Sequence, residues 1–90
     1  MGADNTPNIF SLWLTFEFVK NPNSIIQFGL RLRKLREERN MSQQDLANES
    51  DLDKKTIQRI ETGKLNPTLD TMICLSNGLQ IKLAELMDKL

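Results

Sequence analysis

A chain of 90 residues, 39% hydrophobic and 27% charged, has room for one small soluble domain and a tail. Its 12 basic residues balance its 12 acidic ones, which argues against a nucleic-acid binder, since such domains are usually basic, but the uneven distribution leaves room for a local basic face. With no His and one Cys it cannot assemble a Ser-His-Asp or Cys-His pair, a tetrahedral zinc site or an internal disulfide.

Residues 1–23 read as an arm apart from the rest. The opening MGADNTPN has no basic stretch ahead of an apolar one, so a secretory signal is not expected. Within the arm, Leu12, Leu14, Phe16 and Phe18 alternate with Trp13, Thr15, Glu17 and Val19, the period of a β-strand with one apolar face. Asn21-Pro22-Asn23 breaks that pattern. A lone strand leaves its backbone unpaired. Three readings stand open: pairing with the same strand of a second subunit, packing as an irregular or helical arm on its own or a neighbouring domain, or an extension upstream of the folded unit.

Residues 24–90 read as an all-α domain of five helices. Ser24-Ile25-Ile26-Gln27 fits a capping box, and Ile25, Phe28, Leu32 and Leu35 follow at helical spacing. Five basic residues lie among them or just beyond (Arg31, Arg33, Lys34, Arg36 and Arg39), and Asn40 is placed to end the helix. Ser42-Gln43-Gln44-Asp45 caps a second, short helix whose apolar face is Leu46 and Ala47. Asp51-Leu52-Asp53 interrupts, and Asp53 is placed to cap a third helix from Lys54 to Thr62, with Ile57 and Ile60 inward. Gly63 ends it, and Asn66-Pro67 forms a loop. Thr68 caps a fourth helix carrying Leu69, Met72, Ile73, Leu75 and Leu79, with Gly78 near its end. Ile81, Leu83, Leu86, Met87 and Leu90 make a fifth. The apolar stripes are read as core, and Cys74 as a small buried or half-buried hydrophobe suited to a reducing cytosol. No apolar run approaches the ~20 residues of a membrane span, so no membrane contact is expected.

The unit from Gln43 to Ile60 is two short helices joined by a tight turn. Ala47 is small where the second helix must pass, Leu52 anchors the turn, and Ile57 and Ile60 face the first helix. That is a helix-turn-helix arrangement, and it leaves Lys54, Lys55, Thr56, Gln58 and Arg59 outward.

The run MSQQDLANESDLDKKTIQRIETGKLNPTLDTM resembles the lambda-repressor/Cro-like (XRE) helix-turn-helix family, and the likeness extends over residues 25 to 90. Its signals are Ser42-Gln43, Leu46-Ala47, Ile57 with Ile60, then Ile60-Glu61-Thr62-Gly63-Lys64 and Asn66-Pro67-Thr68-Leu69. Two departures stand out. Asp51 occupies a turn position where the family usually has Gly, and Gln80 and Lys82 replace the usual Gly and Ser/Thr before the last helix.

The resemblance implies sequence-specific binding of double-stranded DNA by a small transcriptional regulator, most simply a repressor acting as a homodimer, with no enzymatic activity, metal or cofactor. The third helix would enter the major groove, where each base pair shows a distinct donor/acceptor pattern. By family correspondence Lys54, Lys55, Thr56 and Arg59 read bases. Gln43, Lys64 and Asn66 face phosphates. Arg36 pairs with Glu61 as a structural ion pair that holds the third helix against the first. The subunit contact is assigned to the arm, with its Trp13, Phe16 and Phe18, ahead of the fifth helix. Close variants are the controller of a restriction–modification system and the antitoxin of a toxin–antitoxin pair, in which residues 9–19 would bind the toxin or another protein. The rival from a different class is a protein-interaction module that has lost DNA binding.

Overall fold

The computed structural model describes residues 22–88, so the arm's strand period and Leu90 lie outside the described residues. The described residues form five helices: α1 Pro22–Glu38, α2 Gln43–Ser50, α3 Lys54–Glu61, α4 Leu69–Leu79 and α5 Leu83–Leu86. The start of α1 corrects the sequence reading. Pro22 opens the helix instead of breaking the chain, and Ser24 lies inside the first turn instead of capping it. A proline at the first helical position sacrifices only an N–H that has no intrahelical acceptor, and its ring fixes φ near the helical value.

The ends of the other helices follow their residues. At α2 the Ser42 hydroxyl accepts from Asp45 N–H at 2.9 Å, and Ser42 N–H donates to Asp45 Oδ2 at 2.9 Å. Two free donors are satisfied reciprocally. The Ser42 backbone N–H, helped by the Ser42 side chain, holds the Asp45 carboxyl below its ordinary range. Asn40, Asp51 and Gln80 take left-handed backbone at φ 56, 57 and 58, each just past a helix end. Asp51 thus stands in for the glycine of the turn, at a strain of ~1–2 kcal/mol. Leu52 N–H closes that turn on Ala47 C=O at 2.9 Å. Asp53 occupies the N-cap position of α3 but its side chain makes no capping bond, so there the residue type misled. Thr62 lies beyond the last residue of α3, and Gly63 follows at φ 71. Thr68 Oγ1 accepts from Thr71 N–H at 3.1 Å and caps α4. Lys82, with no hydroxyl to offer, precedes α5 without a side-chain cap, and α5 is a single turn.

Phe28, Leu32 and Leu35 of α1 meet Leu46 and Ala47 of α2, Ile57 and Ile60 of α3, Leu75 and Leu79 of α4, and Leu86 of α5 in one core, whereas Leu69 and Ile73 of α4, read as core from their spacing, are exposed. Each large aliphatic or aromatic side chain removed from water stabilises the fold by roughly 1.5–3 kcal/mol. Leu86 is fully buried in that core, which takes it out of the candidate subunit surface on the last helix.

The basic run of α1 is put to tertiary use. Arg31 Nη2 donates to Glu85 C=O at 3.0 Å, and Arg39 Nε to Leu79 C=O at 3.2 Å, so two guanidiniums reach carbonyls at or near the ends of α5 and α4. Those carbonyls lie where the helix dipole is negative. Arg33 pairs with Glu37 at 3.1 Å on the surface, an exposed contact of little energetic weight.

Two close approaches need glycine. A Cβ at Gly29 would overlap the Ile60 carbonyl oxygen and stand 3.1 Å from that of Glu61, so α1 runs directly against the backbone of α3. A Cβ at Gly78 would overlap Ser50 Oγ where α4 crosses α2. Backbone cannot swing aside as a side-chain tip can. Gly29→Ala is therefore expected to destabilise the domain by about 1–3 kcal/mol in urea unfolding, despite alanine's better helix propensity. An unchanged or raised midpoint would mean that α1 shifts freely against α3.

Candidate nucleic-acid interface

The sequence KKTIQRIE of α3 distributes its residues to two sides. Ile57 and Ile60 are fully buried, and Lys54, Lys55, Gln58 and Arg59 are exposed, with Thr56 half-buried between. The one carboxylate of the helix, Glu61, is turned inward. Arg36 Nε meets Glu61 Oε2 at 2.7 Å and Arg36 Nη2 meets Glu61 Oε1 at 3.0 Å, a bidentate pair whose side chains are 9% and 3% exposed. A third guanidinium nitrogen, Nη1, donates to Met41 C=O at 2.7 Å. The hydrogen bond to Glu61 raises the Arg36 pKa further above its ordinary value, against the opposing effect of burial. The pair thus withdraws the helix's own negative charge from its outer edge. Among the described residues, no carboxylate lies within ion-pair distance of Lys54, Lys55, Arg59 or Lys64.

Gln43 is the first residue of α2, and it is half-buried. Its Nε2 donates to Glu61 Oε1 at 3.0 Å. One amide hydrogen is therefore engaged inside the protein, in a network joining α1, α2 and α3. The other amide hydrogen and the backbone N–H at the positive end of α2 remain for an outside acceptor. The family resemblance puts Gln43 on phosphate and indicates no internal partner for it. Nothing in the local pattern announces one, because Gln43 and Glu61 meet only through the fold.

The structure also gathers residues that sequence left scattered. Arg33, Ser42, Gln43, Gln44 and Lys54 line one shallow depression of about 570 Å³, with Arg36 at its base. By composition the basic run of the first helix makes Arg33 look like a phosphate binder, whereas nothing in the sequence singles out Gln44. Lys64 is exposed just past α3, its backbone N–H closing on Arg59 C=O at 2.8 Å. Asn66 is exposed too, but it borders an apolar groove beside Ile25 and Pro67 and is not part of the depression at Gln43.

The resulting surface is a rigid helix with a cationic, hydrogen-bonding edge, flanked by the N-terminus of a second helix. Among the described residues no cluster of His, Cys, Asp or Glu could hold a metal ion, and no helix is long and apolar enough to cross a membrane.

A family model described as helix-turn-helix matches residues 32–86, which hold everything from Leu32 of α1 to the end of α5. The control protein C.MunI of a Mycoplasma species is 44% identical over 62 residues, a stretch covering 68% of this chain and 84% of that protein. The restriction-modification controller protein C.AhdI from Aeromonas hydrophila superposes with a TM-score of 0.67 at 37% identity, covering 69% of this chain and 94% of its own. The wild-type restriction-modification controller protein C.Esp1396I gives a TM-score of 0.67 at 29% identity, covering 73% of this chain and 90% of its own.

Proposed function

The chain belongs to the helix-turn-helix family, of the lambda-repressor/Cro-like (XRE) type, and from that premise we propose that it is a restriction–modification controller, a cytoplasmic regulator of transcription that binds double-stranded DNA. The observation that carries this reading is the edge of α3: three exposed cations on one face, with the helix's carboxylate buried and neutralised behind it. A protein of zero net charge thereby presents positive charge where the duplex would approach.

In this reading α3 lies in the major groove. Lys54, Lys55, Thr56 and Arg59 meet base edges, with Arg59 suited to donate two hydrogen bonds to guanine O6 and N7. Thr56 offers a methyl to thymine or a hydroxyl to phosphate. Lys64, Asn66 and the start of α2 at Gln43 meet the sugar–phosphate strands, and so fix the register in which bases are read. Two subunits then occupy half-sites about one helical turn apart, which supplies the affinity that one small domain lacks.

Selection of bound duplexes from a random pool, followed by binding of the selected sequence at increasing salt, tests this. The pool should converge on a two-fold symmetric site. A dimer neutralising about 6–10 phosphates should lose about 10³–10⁵ in affinity between roughly 50 and 200 mM salt. Failure to retain any duplex at low ionic strength would overturn the reading.

A further inference from the structure

Five basic residues crowd the sequence from Arg31 to Arg39, and three of them are committed to the fold. Arg31 and Arg39 donate to carbonyls, and Arg36 is held by Glu61. Lys34 borders Gln27, Leu30 and Arg31, away from α3. Arg33 is engaged differently. Its side chain is 59% exposed, and its Nε donates to Glu37 Oε2 at 3.1 Å. Among the described residues neither Nη1 nor Nη2 of Arg33 has an acceptor. An exposed pair four residues apart on a helix is weakly held, so Glu37 yields the guanidinium readily to a better acceptor.

Arg33 borders the depression where α1, α2 and α3 meet, together with Gln43, Gln44 and Lys54. No carboxylate lines this depression, whereas the one beside Arg39 includes Asp45 and Glu49. The groups it leaves to solvent are chiefly donors: Nη1 and Nη2 of Arg33, the Lys54 ammonium and the second amide hydrogen of Gln43. A positively charged rim of donors suits an anion with several acceptor oxygens, and the planar fork of an arginine matches phosphate in particular. The source of that phosphate is indicated by continuity. Lys54 belongs both to this depression and to the exposed edge of α3, so a duplex seated on α3 would carry a sugar–phosphate strand past Arg33.

On the reading of α3 as the helix in the major groove, we propose that Arg33 of α1 is a further backbone contact: its guanidinium exchanges Glu37 for the duplex phosphate beside the base that Lys54 meets. Lys64 then anchors the strand past the C-terminal end of α3, and Arg33 anchors it at the N-terminal end. The contact fixes the position of the helix and reads no base itself.

Arg33→Gln in the full-length protein tests this, and because the side chain is mostly in solvent the urea midpoint should stay near that of the wild type. Binding to the selected duplex and to random duplexes should weaken by the same factor. The slope of log affinity against log salt should become shallower by about 0.9 for each bound subunit, the loss of one phosphate contact. The phosphate itself is found by placing neutral methylphosphonates one at a time along the selected duplex. At one position in each half-site the replacement should weaken the wild type and leave Arg33→Gln indifferent. An Arg33→Gln protein with the wild-type salt slope, or with the wild-type sensitivity to every methylphosphonate, would overturn the proposal and leave the reading of α3 standing. A wild-type protein that retains no duplex at low ionic strength would overturn both.

Discussion

Glu61→Ala is expected to lower the unfolding free energy by about 3–5 kcal/mol, measured by urea titration with the slope unchanged. The reason is the charge it leaves behind. Arg36 is 9% exposed and faces Glu61 through two short hydrogen bonds; without them its guanidinium keeps the Met41 carbonyl and a contact to Glu37 at 4.0 Å. A domain of this size is stable by only about 5–15 kcal/mol, so this single loss is a large share of the whole. The intact pair need not contribute that much, because desolvating two ions offsets most of their attraction. Arg36→Met/Glu61→Leu should accordingly recover most of the stability that Glu61→Ala removes. A loss under about 1 kcal/mol in the single variant would show that α3 is held by Ile57 and Ile60 alone. The same measurement bears on function. The pair and Gln43 bind the C-terminal end of α3 to α1 and α2, so a destabilised pair frees the helix whose rigidity DNA reading requires.

Much of this arrangement is legible in the residues alone. Leu32, Leu35, Ile57, Ile60, Leu75 and Leu79 are inward at the spacing that periodicity assigns, and Ser42 and Thr68 cap the helices they precede. Those features are local: a period of 3.6 or a hydroxyl three residues before a free N–H is written within one turn of chain. What escaped is what only the fold brings together. Pro22 reads as a breaker until it is seen at the first position of a helix. Arg31 and Arg39 read as surface charge until the carbonyls of Glu85 and Leu79 appear opposite them. Gly29 carries no motif at all, because the neighbour that demands it is the backbone of Ile60. The site divides in the same way. Lys54, Lys55 and Arg59 are exposed because Ile57 and Ile60 must be buried, which the pattern of α3 alone requires. The internal bond of Gln43 joins residues 18 apart, and no spacing rule reaches that far.

Arg59→Ala is the substitution expected to change what is read, and Lys64→Ala the one expected to change how tightly. Arg59 stands exposed on α3 between the buried Ile57 and Ile60, on a backbone fixed at both ends: Asp51–Asp53 turns tightly before the helix, and Lys64 N–H closes on Arg59 C=O after it. A guanidinium carried on that backbone can present two parallel donors to a guanine edge, a contact that contributes roughly 1–3 kcal/mol of discrimination between bases. Its removal should flatten preference at one base pair of each half-site, by about 5- to 150-fold in relative affinity, and leave preference elsewhere unchanged. Lys64 lies past the helix on a loop, where a cation can meet phosphate but has no fixed geometry for a base edge. Its removal should weaken selected and random duplexes alike and reduce the salt dependence by about one counterion per subunit. The two variants are measured side by side by quantitative binding to a panel of single base-pair changes. Their contrast is the informative quantity, since partial unfolding would lower affinity for every duplex in both. An Arg59→Ala protein with unaltered preference at every position would move base reading to Lys54, Lys55 and Thr56 at the other end of α3, and leave Arg59 a phosphate contact.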